Sequence, residues 1–102
     1  MVLGDCYGSA CQSGITDLAE KYLIGTGLTV GRNTPYAGGF ITRTYGRPQE
    51  NIHCLQIEIS RDLYMNERRL TKHPDFNLIK GVMSGLAGQL ASFGQSMTAA
   101  AA

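Results

Sequence analysis

Between His53 and Arg61 the apolar residues Leu55, Ile57 and Ile59 alternate with Gln56, Glu58 and Ser60. A period of two predicts a strand with one buried and one polar face. The polar face sets Glu58 between two hydrogen-bonding side chains, with His53 before it and Arg61 after it. Glutamate is depleted in strand interiors, so Glu58 is a candidate acid or base; a solvated outer face or an ion pair with Arg61 is the alternative. Earlier in the chain the period changes to that of a helix. Ile15, Leu18, Ala19, Tyr22 and Leu23 fall at i, i+3, i+4, i+7 and i+8, which predicts a helix over about Ile15–Ile24. Ser13 or Thr16 is its expected cap, Asp17 lies in its first turn, and Gly25 or Gly27 ends it. Val2-Leu3 and Leu28-Thr29-Val30 read as short flanking strands, the first delivering Asp5 at its C-terminal end. Strand, helix and strand in that order predict a βαβ unit in a parallel sheet.

From Gly31 to Pro48 turn residues dominate: Pro35, Gly38-Gly39 and Gly46-Arg47-Pro48, with Phe40–Tyr45 expected as a strand between two turns. Asp62–Pro74 is polar. Asp75 is placed to cap a last helix of about Phe76–Phe93, in which Phe76, Ile79, Val82, Met83, Leu86, Leu90 and Phe93 share one arc. Gly81, Gly85, Gly88 and Ser92 align on its other side, read as a second close contact with a neighbouring element outside this chain in preference to a plain exposed face. Residues 96–102 are expected to be a disordered tail.

One small α/β domain, or a piece of a larger one, fits 102 residues with 43% hydrophobic content. No apolar run approaches the roughly 18 residues that a spanning helix needs, and Met1–Asp5 lacks the basic and long apolar regions of a signal peptide. Met1 leads straight into the apolar Val2-Leu3, which reads as a chain entered partway through a fold. Cys6, Cys11 and Cys54 are odd in number and match neither a disulfide nor a metal spacing, so reduced thiols and a cytoplasmic location are expected. No metal ligand set is found.

Charge sharpens this picture only locally. The net charge is +1, yet all six arginines lie between Arg32 and Arg69, an interval without lysine, and Arg32–Gln49 contains no acid. Arginine among glycines suits a carboxylate- or phosphate-binding loop, because guanidinium makes planar bidentate bonds and glycine lets backbone come close. Pairing of these arginines with Glu50, Glu58 or Asp62 is the plainer alternative. Gly38-Gly39 lacks the Gly-Lys-Ser/Thr ending of a phosphate loop, and the balanced total charge argues against nucleic acid. A small molecule bearing carboxylates fits better than either. His73, before Pro74, is given no role.

The run Asn33-x-Pro35-Tyr36-x-Gly38-Gly39-Phe40-x-Thr42-Arg43-x-Tyr45-Gly46-Arg47-Pro48, followed by His53-x-Leu55-Gln56-Ile57-Glu58-Ile59-x-Arg61-x-Leu63-Tyr64-Met65, resembles the C-terminal part of the N-formylglutamate amidohydrolase (N-formylglutamate deformylase) family. Leu3-Gly4-Asp5 and the first helix resemble the segment leading into it. The resemblance implies part of a three-layer α/β/α mixed-sheet fold similar to zinc carboxypeptidases, with residues 1–95 as the C-terminal portion of one domain. It also implies a Zn2+ cofactor and hydrolysis of N-formyl-L-glutamate to formate and L-glutamate in histidine degradation. Glu58 matches the glutamate that takes a proton from the attacking water. Arg43 and Arg47, with Asn33 and Tyr36, match the loop that holds the substrate's carboxylates, and Arg61 either orients Glu58 or binds substrate.

Family members are more than twice this length, with zinc ligands expected in an N-terminal half that has no counterpart here. His53 and His73 stand in no zinc-binding motif. The chain alone is therefore expected to be inactive, with a missing N-terminal half as its partner. The rival expectations are a non-catalytic dicarboxylate-binding domain and an inactive remnant.

Overall fold

Both edges of the first strand are occupied. The computed structural model describes residues 1–101, with side chains described for residues 1–95; the tail expected over 96–102 lies outside the described side chains. Strand β1, Val2–Gly4, is the middle of a three-stranded mixed sheet. Strand β2, Gly31–Arg32, runs parallel to it with Val2 opposite Gly31. Strand β3, Gln56–Glu58, runs antiparallel on its other side, pairing Val2 with Glu58, Leu3 with Ile57 and Gly4 with Gln56. Helix α1, Ser13–Gly25, makes the crossover from β1 to β2, giving the parallel βαβ unit expected from the strand-helix-strand order.

Three sequence expectations shift. The second strand lies at Gly31–Arg32 rather than Leu28–Val30: Gly31 N–H bonds Met1 C=O at 2.9 Å and Asn33 N–H bonds Leu3 C=O at 2.8 Å, while the expected strand meets β1 through Thr29 C=O, which accepts from the Met1 amino group at 2.9 Å. The strand expected over His53–Arg61 is confined to Gln56–Glu58, since β1 offers only three residues to pair with. Ahead of it, Cys54 N–H bonds Ala10 C=O, and behind it Arg61–Leu63 turns as a 3₁₀ helix. Leu55, Ile57 and Ile59 are accordingly half-buried rather than core. Phe40–Tyr45 is not a strand but helix α2. Its backbone bonds close locally, Arg43 N–H to Gly39 C=O and Gly46 N–H to Thr42 C=O, both at 3.1 Å, and the helical turn buries Thr42.

The chain forms two units, Met1–Glu58 and Ile59–Ala102. In the first, Leu3, Ala10, Cys11, Ala19 and Leu23 are buried together with the polar Asp5, Thr16 and Thr42. Thr16, Ala19 and Leu23 form the most buried line of α1, while Ile15, Leu18 and Tyr22 flank it half-buried. Thr16 does not cap the helix; the N-cap is Gln12, without a side-chain bond.

The second unit holds a two-stranded hairpin of β4, Met65–Asn66, and β5, Thr71–Lys72, followed by helix α3, Phe76–Ala101. Tyr64 meets Phe76 edge-on at 6.4 Å, and Lys72 Nζ lies 4.6 Å over the Phe76 ring. α3 runs past its expected end at Phe93. The predicted apolar arc is the sheltered one: Ile79 and Leu86 are buried, and Phe76, Val82, Met83, Leu90 and Phe93 are half-buried. Gly81 and Gly88 face open space within this chain.

Candidate functional site

The loops that follow β1 and β2 interlock through glycines. A Cβ on Gly4 would lie 2.7 Å from the Ala37 carbonyl carbon, one on Gly38 would lie 2.7 Å from Cys6 Sγ, and one on Gly46 would lie 2.5 Å from the Ala10 oxygen. Cys6 N–H also bonds Ala37 C=O at 2.8 Å. These glycines admit a close approach between the Asp5–Ala10 turn and the Tyr36–Gly46 segment.

Asp5 anchors that turn. Its Oδ2 accepts from Thr16 Oγ1 at 2.9 Å and its Oδ1 accepts from Gly8 N–H at 3.0 Å. Burial pushes its carboxyl upward, but hydrogen bonds from Asn33, Thr16 and Gly8, with the nearby Arg32 charge, outweigh this and hold it below the usual aspartate range. Cys6 and Tyr7 both sit in the left-handed region, φ 53° and 55°, a conformation non-glycine residues adopt only when held. The holder is Asn33, itself at φ 62°, whose Oδ1 accepts from both Asp5 N–H and Tyr7 N–H. Asn33, expected to touch substrate, is thus engaged in fixing the turn.

The arginines divide. Arg32 donates to Asp17 at 2.6 Å and also to Glu20, bonds that raise its already high pKa and fasten β2 to α1. Arg47 pairs with Glu50 at 3.6 Å, and Arg61 with Glu67 at 3.0 Å inside the second unit. Of the three arginines of the acid-free stretch, Arg43 alone has no carboxylate partner among the described residues. Its Nη1 donates to Gly38 C=O at 3.1 Å, and its side chain is exposed on α2. Tyr36, Phe40, Ile41 and Tyr45 are exposed in the same segment, Phe40 at 70%.

Glu58 closes β3 and is exposed. Its Oε1 accepts from Gln56 Nε2 at 3.1 Å, while Gln56 Oε1 accepts from Gly39 N–H at 2.7 Å. Pairing of Gly4 with Gln56 sets Gln56, two residues before Glu58, at the end of the sheet where the β1 and β2 loops emerge. Ligands of open α/β sheets favour that end. Gln56 was legible as a polar neighbour of Glu58, but nothing in the alternation indicated its second bond.

The described residues do not fit a zinc ion. No group of three His, Cys, Asp or Glu is arranged to hold a metal among them. His53 Nδ1 accepts from Gln12 N–H at 3.1 Å, which places its proton on Nε2, beside Asn51 Oδ1 at 3.0 Å. His73 Nδ1 accepts from Asp75 N–H at 3.0 Å. The three thiols are unpaired; Cys11 is fully buried, and burial first of all pushes its thiol upward, away from the thiolate a metal requires.

Residues 1–65 match the family model described as N-formylglutamate amidohydrolase. The chain is 31% identical over 67 residues to the N-formylglutamate deformylase of Pseudomonas aeruginosa and 33% identical over 66 residues to that of Pseudomonas putida. These matches cover 65% and 64% of the chain and 25% of each relative, so the chain spans about a quarter of their length. A crystal structure of N-formylglutamate amidohydrolase from Ralstonia eutropha JMP134 superposes with a TM-score of 0.77 at 37% identity, covering 93% of this chain and 33% of that one. A mixed sheet with flanking helices, the interlocked loop block and these matches together place the chain in the N-formylglutamate amidohydrolase family.

Proposed function

We propose that this chain is a C-terminal portion of an amidohydrolase that cleaves N-formyl-L-glutamate to formate and L-glutamate. Arg43 binds a substrate carboxylate and Glu58 transfers the proton. The observation that carries the reading is the state of Arg43: an exposed guanidinium with no acid partner among the described residues, held by one carbonyl in the segment that also carries exposed Tyr36. Guanidinium binds carboxylate bidentately, and a carboxylate that displaces one neutral carbonyl acceptor gains a charge-assisted bond. Tyr36 is available to support it. Arg47 reaches a substrate only by sharing or leaving Glu50, Arg61 is paired with Glu67 in the second unit, and Asn33 serves the site through the turn that it holds.

In the reaction water adds to the formyl carbon, Glu58 accepts its proton and returns one to the leaving amine as the C–N bond breaks. The zinc, and the zinc-carboxypeptidase-like layering, implied by family resemblance would draw on ligands and elements beyond the described residues. No step is assigned to a metal.

A second reading, a dicarboxylate-binding domain without chemistry, rests on the same exposed Arg43 guanidinium. Calorimetry of the chain with N-formyl-L-glutamate tests the shared claim. Binding at a Kd of about 1 mM or tighter that vanishes in Arg43→Ala supports carboxylate capture. Binding unchanged in that variant overturns the role of Arg43.

A further inference from the structure

The Gly38–Gly39 peptide is gripped from both sides. Arg43 Nη1 donates to its carbonyl oxygen at 3.1 Å, and its N–H donates to Gln56 Oε1 at 2.7 Å. Gln56 then continues the chain, Nε2 donating to Glu58 Oε1 at 3.1 Å. The amide can stand only this way round: Gly39 offers a donor and needs the oxygen, which leaves the NH₂ for the carboxylate. Gly39 has room for this and little more, since a Cβ there would lie 3.3 Å from Gln56 Oε1. Because a peptide group is planar and rigid, its carbonyl and its N–H tilt together.

We propose that Gln56 is a positioning residue that couples Arg43 to Glu58 through the Gly38–Gly39 peptide. A carboxylate that draws the Arg43 guanidinium off Gly38 frees that carbonyl, the peptide tilts, and Gln56 carries the change to Glu58. Bonds in such a chain polarise one another, so loss of one end loosens the other. The functional meaning rests on the roles proposed for Arg43 and Glu58; the coupling does not. Gln56 also spans a geometric gap. In the sheet register Glu58 lies opposite Val2, two residues along the strand from the loop end, and the Gln56 side chain bridges that rise of roughly 7 Å.

The test is a mutational cycle read by amide hydrogen exchange at Gly39 in the 102-residue chain, without substrate. Glu58→Ala is expected to speed Gly39 exchange about five-fold, the scale of one weakened hydrogen bond. In a Gln56→Glu background, which keeps the acceptor for Gly39 and removes the donor to Glu58, Glu58→Ala is expected to change it less than about two-fold. Gln56→Met, with neither donor nor acceptor and no added charge, is expected to expose Gly39 and also erase the effect of Glu58→Ala. An equal effect of Glu58→Ala in all three backgrounds would overturn the coupling. Carboxylate binding at Arg43 is read separately by calorimetry, so its failure with an intact cycle removes the substrate assignment alone.

Discussion

Thr16 Oγ1 donates to Asp5 Oδ2 at 2.9 Å, tying the first turn of α1 to the end of β1 inside the core. Both residues are buried, and Asp5 has no ion-pair partner within bonding distance among the described residues, so hydrogen bonds carry its charge. Removing one partner leaves the other buried and poorly satisfied. Thr16→Val is expected to lower unfolding stability by about 1–3 kcal/mol in urea titrations.

The same carboxylate gives stability a defined pH dependence. Its pKa in the fold is below the unfolded value, so its contribution is fully present above about pH 4 and is lost as pH falls through the folded pKa. Acid melts should therefore show a stability loss below about pH 4 that is smaller in Asp5→Asn, a variant less stable at neutral pH. An identical acid slope in the two proteins would remove Asp5 from this role.

Two glycine substitutions should differ in sign. Gly46→Ala puts a methyl 2.5 Å from the Ala10 oxygen and is expected to destabilise by about 1–3 kcal/mol. Gly88→Ala, inside α3 and facing open space, is expected to stabilise its helix by about 0.8–1.0 kcal/mol. Thermal melts of both variants check the contrast.

Thiol labelling should separate the cysteines. Cys11 is fully buried with its thiol pushed up by burial, whereas Cys6 and Cys54 are partly exposed. Mass spectrometry after brief alkylation of the native chain should show modification at Cys6 and Cys54 and protection at Cys11 until denaturant is added.

Elements whose signal is a long period are legible in the chain. The stripe from Ile15 to Leu23 and the arc from Phe76 to Phe93 both form helices with that side sheltered. Phe40–Tyr45 reads as strand because its aromatic and β-branched residues favour sheet, whereas in the fold it closes helical bonds and buries Thr42, a tertiary outcome that strand propensity does not carry. Within the candidate site, the family pattern points to Arg43 and Glu58 from their residue types and order. It does not indicate that Asn33 spends its carbonyl on a strained turn, or that Arg47 and Arg61 have glutamates beside them. Gln56, the link between the two chosen residues, carries no signal beyond its place in an alternation.

Glu58 is proposed to handle the proton in formyl-amide hydrolysis, and formate release reports on that role. The chain would be joined to the upstream portion of the Pseudomonas aeruginosa relative, of which it covers a quarter, and given N-formyl-L-glutamate. The joined protein is predicted to release formate, with Glu58→Gln lowering kcat by a factor of about 10²–10⁴ while N-formyl-L-glutamate still binds. Normal turnover in Glu58→Gln would contradict the account.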